Sequence, residues 1–141
     1  MKYSRRECCL LLPALAAARL AAAEPAAIQS TVRRFEDLPV NADGKNRFRP
    51  IVEGLLHDGH PLEAHATELA PDVMPHAAHR HQHEEMFLVR EGAVEVTVNG
   101  KSTRLGPGGV AFVAGGDEHG IHNGGETSAH YFVIALGKDQ S

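Results

Sequence analysis

The stretch His79-Arg80-His81-Gln82-His83-Glu84-Glu85, followed by Gly92, carries the spacing His-x-His-x3-Glu-x6-Gly. Further on, Gly108, Ala114, Gly116, His119 and Asn123 follow Gly-x5-Ala-x-Gly-x2-His-x3-Asn. Side chains alternate between the faces of a β-strand, so His79 and His81 on one strand project to the same side and can grip one ion as neighbours. Glu85 keeps that parity but lies further along, where the chain must bend or bulge to return its carboxylate to the same point. His119 must come from another strand. Imidazole suits Fe, Ni, Cu and Zn, and a carboxylate adds preference for harder ions such as Mn. Four protein ligands leave two positions open on an octahedral ion.

Working outward, Val94, Val96 and Val98 alternate with Glu95 and Thr97 before Asn99-Gly100, a strong two-residue hairpin signal. Lys101 to Leu105 reads as the returning strand. Gly106-Pro107-Gly108-Gly109 is turn chemistry, and Val110 to Val113 is an apolar run suited to a buried strand. Gly115 and Gly116 form another turn, after which a strand runs from His119 to His122 or Asn123, and Tyr131 to Leu136 makes the last one. Upstream, Leu62 to Leu69 and Phe48 to Leu56 read as strands. Phe87, Val89, Phe112, Phe132 and Ile134 are expected in the core. Short strands between Gly and Pro turns, without a long amphipathic helix, argue for an all-β sandwich or barrel.

The two spacings together resemble the paired signature motifs of the cupin superfamily. The resemblance covers roughly residues 47 to 137 and implies a single-domain cupin jelly-roll barrel. It further implies that His79, His81, Glu85 and His119 hold one divalent transition metal: Fe, Mn, Ni, Cu or Zn. Two positions depart from the pattern, Ala114 where a proline is usual and Gly109 where an acidic residue is common. Neither is a ligand, so the turn is affected and the site is not. A homodimer is what the resemblance implies for assembly.

Residues 1–23 read as an export signal. Lys2, Arg5 and Arg6 make a basic start, Cys8 to Ala18 is a short apolar run, and Ala21-Ala22-Ala23 offers a small-residue cleavage site. Ser4-Arg5-Arg6 resembles the start of a twin-arginine signal, although Cys8, Cys9 and Leu10 stand where Phe-Leu-Lys is usual, leaving general secretion open. The apolar run is too short to span a bilayer and Arg19 follows it, so no stable membrane span is expected after processing. The expected location is periplasmic or secreted. Residues 24–46 read as an N-terminal arm or linker and 138–141 as a tail.

Processing removes both cysteines, leaving no thiol for disulfides, nucleophiles or thiolate ligands. Removing Lys2, Arg5, Arg6, Arg19 and Glu7 takes the formal net charge from −4 to −7, which disfavours nucleic acid as a partner.

Among the remaining polar residues, His83 shares the parity of the ligands but falls at the expected bend, where it reads as a rim residue. Glu84 and His122 should point away from the metal. His65 and His130 read as ordinary hydrogen-bonded histidines, and Asn123 as a residue closing a turn through its side chain. Both faces of Met86-Phe87-Leu88-Val89 are apolar, so that strand is expected to be covered on both sides, by the N-terminal arm or a second subunit.

Two classes of function follow. In one, the metal binds a small oxygen-rich or enolisable substrate, with Glu85 remaining a ligand or swinging off as a base; a redox metal points to a dioxygenase, a redox-inactive one to a lyase, isomerase or decarboxylase. In the other, the barrel is a noncatalytic module for a small ligand or metal. Fold alone does not choose between them.

Overall fold

Alternation of apolar and polar residues builds nine antiparallel strands, and the computed structural model describes them within residues 26–137. Residues 1–23, read above as an export signal, and the tail 138–141 lie outside the described residues. The strands are β1 (Asn41–Asp43), β2 (Asn46–Leu55), β3 (Pro61–Leu69), β4 (Glu84–Glu91), β5 (Val94–Val98), β6 (Lys101–Leu105), β7 (Val110–Val113), β8 (His119–His122) and β9 (Ala129–Leu136). They form a six-stranded sheet, in the order β1-β2-β3-β9-β4-β7, and a three-stranded sheet, β6-β5-β8. The architecture is the all-β jelly-roll barrel expected. Its edge strand β1 draws residues 41–43 from the stretch read as an arm.

Period-two burial sets the inside of the barrel. Phe87 and Val89 on β4, Ala129, Tyr131 and Val133 on β9, and Leu69 on β3 are buried, and they pack against Val94, Val96 and Ile121 of the smaller sheet. The core therefore lies between the sheets. The β5–β6 hairpin closes at Asn99 (φ 47°) and Gly100 (φ 78°), the left-handed pair that a tight hairpin turn requires. Gly92 has φ +72°, and a Cβ there would meet the Ser128 carbonyl oxygen at 2.8 Å, so two constraints select glycine.

Three core expectations are corrected by the same alternation. Phe112 is paired with Met86 on the outward face and is 58% exposed, while Phe132 and Ile134 alternate with the buried Tyr131 and Val133, point outward and are only half-buried. An apolar run of four fixes neither parity, and pairing with β4 fixed it here. Within one chain the outward face of β4 stays open at Leu88 and its neighbour Val110, so of the two covers expected the N-terminal arm does not reach these residues.

The segment before β1 docks on the barrel. Ile28 N donates to Leu55 O (2.7 Å), Leu38 is buried, and the Leu38 carbonyl accepts from Arg49 (3.0 Å). The Phe35 ring, in a three-residue 3-10 helix (Phe35–Asp37), lies 4.9 Å from the Arg49 guanidinium and 4.6 Å from that of Arg90. Among the described residues, no helix is long and apolar enough to cross a membrane.

Asn123 does more than close its own turn. Its amide donates to the carbonyls of Leu69 (2.9 Å), Ala70 (3.1 Å) and Thr127 (2.8 Å), and its side-chain oxygen accepts from Gly125 N (3.0 Å). It thus ties the end of β8 to the end of β3 from an almost fully buried position. Asn123→Ala is expected to leave these carbonyls short of a donor and to lower stability by roughly 2–3 kcal/mol. Urea denaturation followed by circular dichroism checks this.

Candidate metal centre

Each sheet supplies one side of the centre and a connection supplies the rest. Glu85 stands near the start of β4 in the large sheet, and His119 opens β8 in the small one. His79 and His81 do not lie on a regular strand, which corrects the expectation from alternation. They occupy the β3–β4 connection, where His79 makes an isolated antiparallel bridge to His119. His79 N donates to His119 O (3.0 Å) and His119 N to His79 O (2.9 Å). Two residues on, Gly116 N donates to His81 O (2.7 Å). These bonds keep residues 79–81 extended, so both rings still reach the same side. Gly116, at φ +86°, sits in the turn after β7, and a side chain at Gly115 would collide with the Gln82 carbonyl. The Gly115-Gly116 turn is therefore shaped to lie against the histidine segment.

The ring nitrogens are sorted by the backbone. His81 Nδ1 lies 2.8 Å from His83 O, and His119 Nδ1 lies 3.0 Å from Asp117 O. A carbonyl only accepts, so each Nδ1 carries a proton and each Nε2 is turned toward Glu85, where either a proton or a bound cation can sit between them. Glu85 Oε2 lies 3.1 Å from His119 Nε2 and 3.5 Å from His81 Nε2. His79 Nδ1 and His81 Nε2 are buried with no hydrogen-bond partner. Burial lowers the His79 pKa from its ordinary value, and the neighbouring His76, His119 and His81 push it the same way against the weaker opposing pull of Glu85. A neutral imidazole is the ligating form.

These observations fit a divalent cation. Potential donor atoms of His79, His81 and His119 lie within 4.8 Å of one another. Two donors each about 2.1 Å from one ion are separated by roughly 3.0–3.4 Å, depending on the angle between them. The Glu85 contacts with His119 and His81 fall around that range. The four residues expected from the sequence are thus brought together.

His83 was read as a rim residue, and the structure corrects this. Its ring stacks on His81 with centroids 3.6 Å apart and planes within 5°, and its Nε2 lies 3.8 Å from Glu85 Oε1. His81, His83 and Glu85 form a second group of converging donors that shares two members with the first. The parity of the three alternating histidines was the available signal. Glu84 and His122 turn elsewhere: Glu84 lies beside Gly137, and His122 Nε2 faces Asp72 (3.5 Å).

A cavity of about 330 Å3 opens beside the centre. Glu85, His119 and Phe87 line one part, and Phe48, His65, Thr67 and Tyr131 another. His76, packed edge-on against His79 (4.3 Å), also lines it. Tyr131 is hydrogen-bonded to Thr67, and burial raises its phenol well above the usual value, so it stays protonated. His65, Thr67 and Tyr131 had no distinguishing spacing in the sequence. Their cross-strand register gathers them at the cavity.

Residues 66–135 match the Cupin_2 family model, a cupin domain. Among solved structures, the chain resembles an RmlC-like cupin from Shewanella frigidimarina (20% identity, 78% of this chain and 93% of that one, TM-score 0.65). It resembles a predicted oxalate decarboxylase from Thermotoga maritima (17%, 77% and 100%, 0.66). It also resembles the polyketide cyclase RemF from Streptomyces resistomycificus (18%, 81% and 83%, 0.63). At these identities the likeness is one of fold. A comparison with curated proteins finds no match.

The lowered pKa of His79 has a consequence for the metal-free protein. The unfolded chain takes up this proton near the ordinary value of 6.5, while the folded chain resists it to lower pH. The contribution is therefore neutral above 6.5 and becomes destabilising as pH falls from there toward the lowered folded value. Urea midpoints measured with chelator between pH 7.5 and 5 are expected to fall with pH, and His79→Gln is expected to flatten that slope. An unchanged slope in the variant would show that His79 does not carry the effect.

Proposed function

The chain carries a cupin domain, and from that premise we propose that it is an exported metal-dependent enzyme acting on a small oxygen-rich or enolisable molecule. One divalent transition metal is held by His79, His81, Glu85 and His119. The observation that supports this most is the pair of buried, unpartnered nitrogens, His79 Nδ1 and His81 Nε2, converging with Glu85 and His119 beside a cavity large enough for a small ligand. Polar atoms left without partners inside a barrel cost stability unless an ion completes them.

When bound, the metal supplies Lewis acidity and, if redox-active, access to oxygen chemistry of the dioxygenase type. The chain's own residues do the rest. The carbonyls of His83 and Asp117 fix the tautomers of His81 and His119, and His83 lies against the second oxygen of Glu85. That second contact keeps the carboxylate turned toward the centre, in the role of ligand before that of base. Phe48, Phe87, Ile121 and Val133 give the cavity apolar walls, which limit water around a bound molecule. A noncatalytic module binding the same class of molecule is the alternative reading. The redox-neutral lyase, isomerase and decarboxylase chemistries use the same residues.

Export with loss of residues 1–23 belongs to this proposal, as does pairing of two chains through the outward apolar strip of Leu88, Val110 and Phe112.

Elemental analysis of protein recovered from its native compartment is expected to find about one Fe, Mn, Ni or Cu per chain, with oxygen uptake on a panel of enolisable compounds. Stoichiometric metal without oxygen uptake turns the reading to redox-neutral chemistry, and absence of metal overturns it. His81→Ala is expected to reduce metal content at least tenfold while preserving the β-sheet circular dichroism signal, because the core cluster does not include this residue. Full metal occupancy in that variant would remove His81 from the ligand set.

A further inference from the structure

A second polar assembly shares the cavity with the metal centre. His65 Nδ1 lies 3.1 Å from Glu63 Oε1, and the His65 ring meets Phe48 edge-on at 6.1 Å. Both His65 and Glu63 line the cavity that Glu85 and His119 line. The strand register explains why. On β3, β9 and β4, Glu63 is aligned with Ala135 and Glu85, and the next inward row aligns His65 with Val133 and Phe87. Glu63, His65, Glu85 and Phe87 therefore share one face of the large sheet, the two pairs standing two strands apart, on the order of 10 Å between backbones. The strand between them carries only Ala135 and Val133 at these positions, so no bulky polar side chain divides the space.

Glu63 settles the protonation of the ring. An ionised carboxylate accepts and cannot donate, so the proton sits on Nδ1 and the lone pair on Nε2. Among the described residues nothing hydrogen-bonds that Nε2, and the ring is one-quarter exposed at the cavity.

We propose that His65, oriented by Glu63, is the general base for a small carbonyl compound whose oxygen faces His79, His81, Glu85 and His119. This rests on the metal-centre reading above and names the substrate class for that site: a 2-oxo compound with an acidic C–H beside its carbonyl. His65 Nε2 takes that proton. The C–H electron pair becomes the new C=C bond, and the carbonyl π pair moves to oxygen, giving an enolate. The Glu63 carboxylate offsets the imidazolium charge. Return of the proton to either end of the enolate regenerates His65 and completes an isomerisation or an exchange with solvent, so no oxidant is consumed. This division of labour frees Glu85 to remain a ligand throughout.

The full chain is loaded with Zn2+ and tested in D2O with 2-oxobutanoate, with C3 deuterium exchange followed by proton NMR. Long-range proton–nitrogen NMR reads the tautomer of His65 without any ligand. The expected result is a His65 protonated on Nδ1 and exchange faster than with free Zn2+. His65→Gln is expected to slow it about 100-fold at unchanged zinc content. Glu63→Ala should slow exchange less, and shift the His65 tautomer toward Nε2–H. Wild-type exchange in His65→Gln, a wild-type His65 protonated on Nε2, or zinc-loaded protein without exchange each overturns the role of His65 and leaves the metal centre standing. Failure of the wild type to take up zinc or any transition metal overturns the metal-centre reading itself, and this proposal with it.

Discussion

Two backbone hydrogen bonds between His79 and His119 hold the centre together, and most of the site depends on them. They join a connection between two strands of the large sheet to the first residue of a strand in the small one. The 14-residue connection from Ala70 to His83 is also tied near its start, where Asn123 N at the end of β8 donates to Val73 O (3.0 Å), and the His79–His119 bridge fixes its histidine end. With it, His79 and His81 are carried along an extended path whose parity is enforced locally, and the Gly116 bond to His81 O extends the clamp by one more anchor. A short piece of strand-like pairing thus does for two ligands what a whole strand does elsewhere.

That arrangement also sorts protons before any ion arrives. His81 and His119 each donate from Nδ1 to a carbonyl two residues away in sequence, so local chain geometry turns their Nε2 atoms toward Glu85, where a cation can replace the proton. Glu85 is braced differently, from both sides, by His119 and His81 at one oxygen and by His83 at the other. A ligand so surrounded is costly to move, because displacing it would unpair several buried groups at once. Proton transfer is better placed on a residue that can gain and lose charge without disturbing the cluster, and His65 with its own carboxylate partner is such a residue.

Much of this was legible in the sequence, for identifiable reasons. Strands β5 to β8 are delimited by Asn99-Gly100, the glycine-rich turn at 106–109 and Gly115-Gly116, signals that act over a few residues and do not depend on tertiary context. The four candidate ligands could be singled out because two patterns, each weak alone, occur in order. Less legible were features set by pairing between distant strands. Val110 to Val113 is apolar throughout, so only its register with β4 turns Val113 inward and Phe112 out. His65 and Glu63 look like any alternating strand residues until β9 places them opposite Glu85 and Phe87. His83 was misplaced because the expected bend was located on it, whereas the chain enters β4 at the next residue and keeps its ring on the ligand side.

The remaining question is why a small barrel should tolerate this much polarity at the junction of its sheets. A structural barrel would fill these places with valine or leucine, as it does at Val89, Val94, Val113 and Leu69, all nearly inaccessible. Here imidazoles and a carboxylate take their place, two buried nitrogens have no partner, and burial depresses the basicity of His79. Each unsatisfied nitrogen costs about 1–3 kcal/mol. Folding gains nothing from that outlay in isolation, whereas binding one cation would satisfy both nitrogens and neutralise Glu85. Local violation of the packing rules, confined to one end of an otherwise consistent core, is what a site retained for its chemistry looks like. The carboxylate and histidine across the cavity extend the same exception, Glu63 in the register row of Glu85 and His65 in that of Phe87.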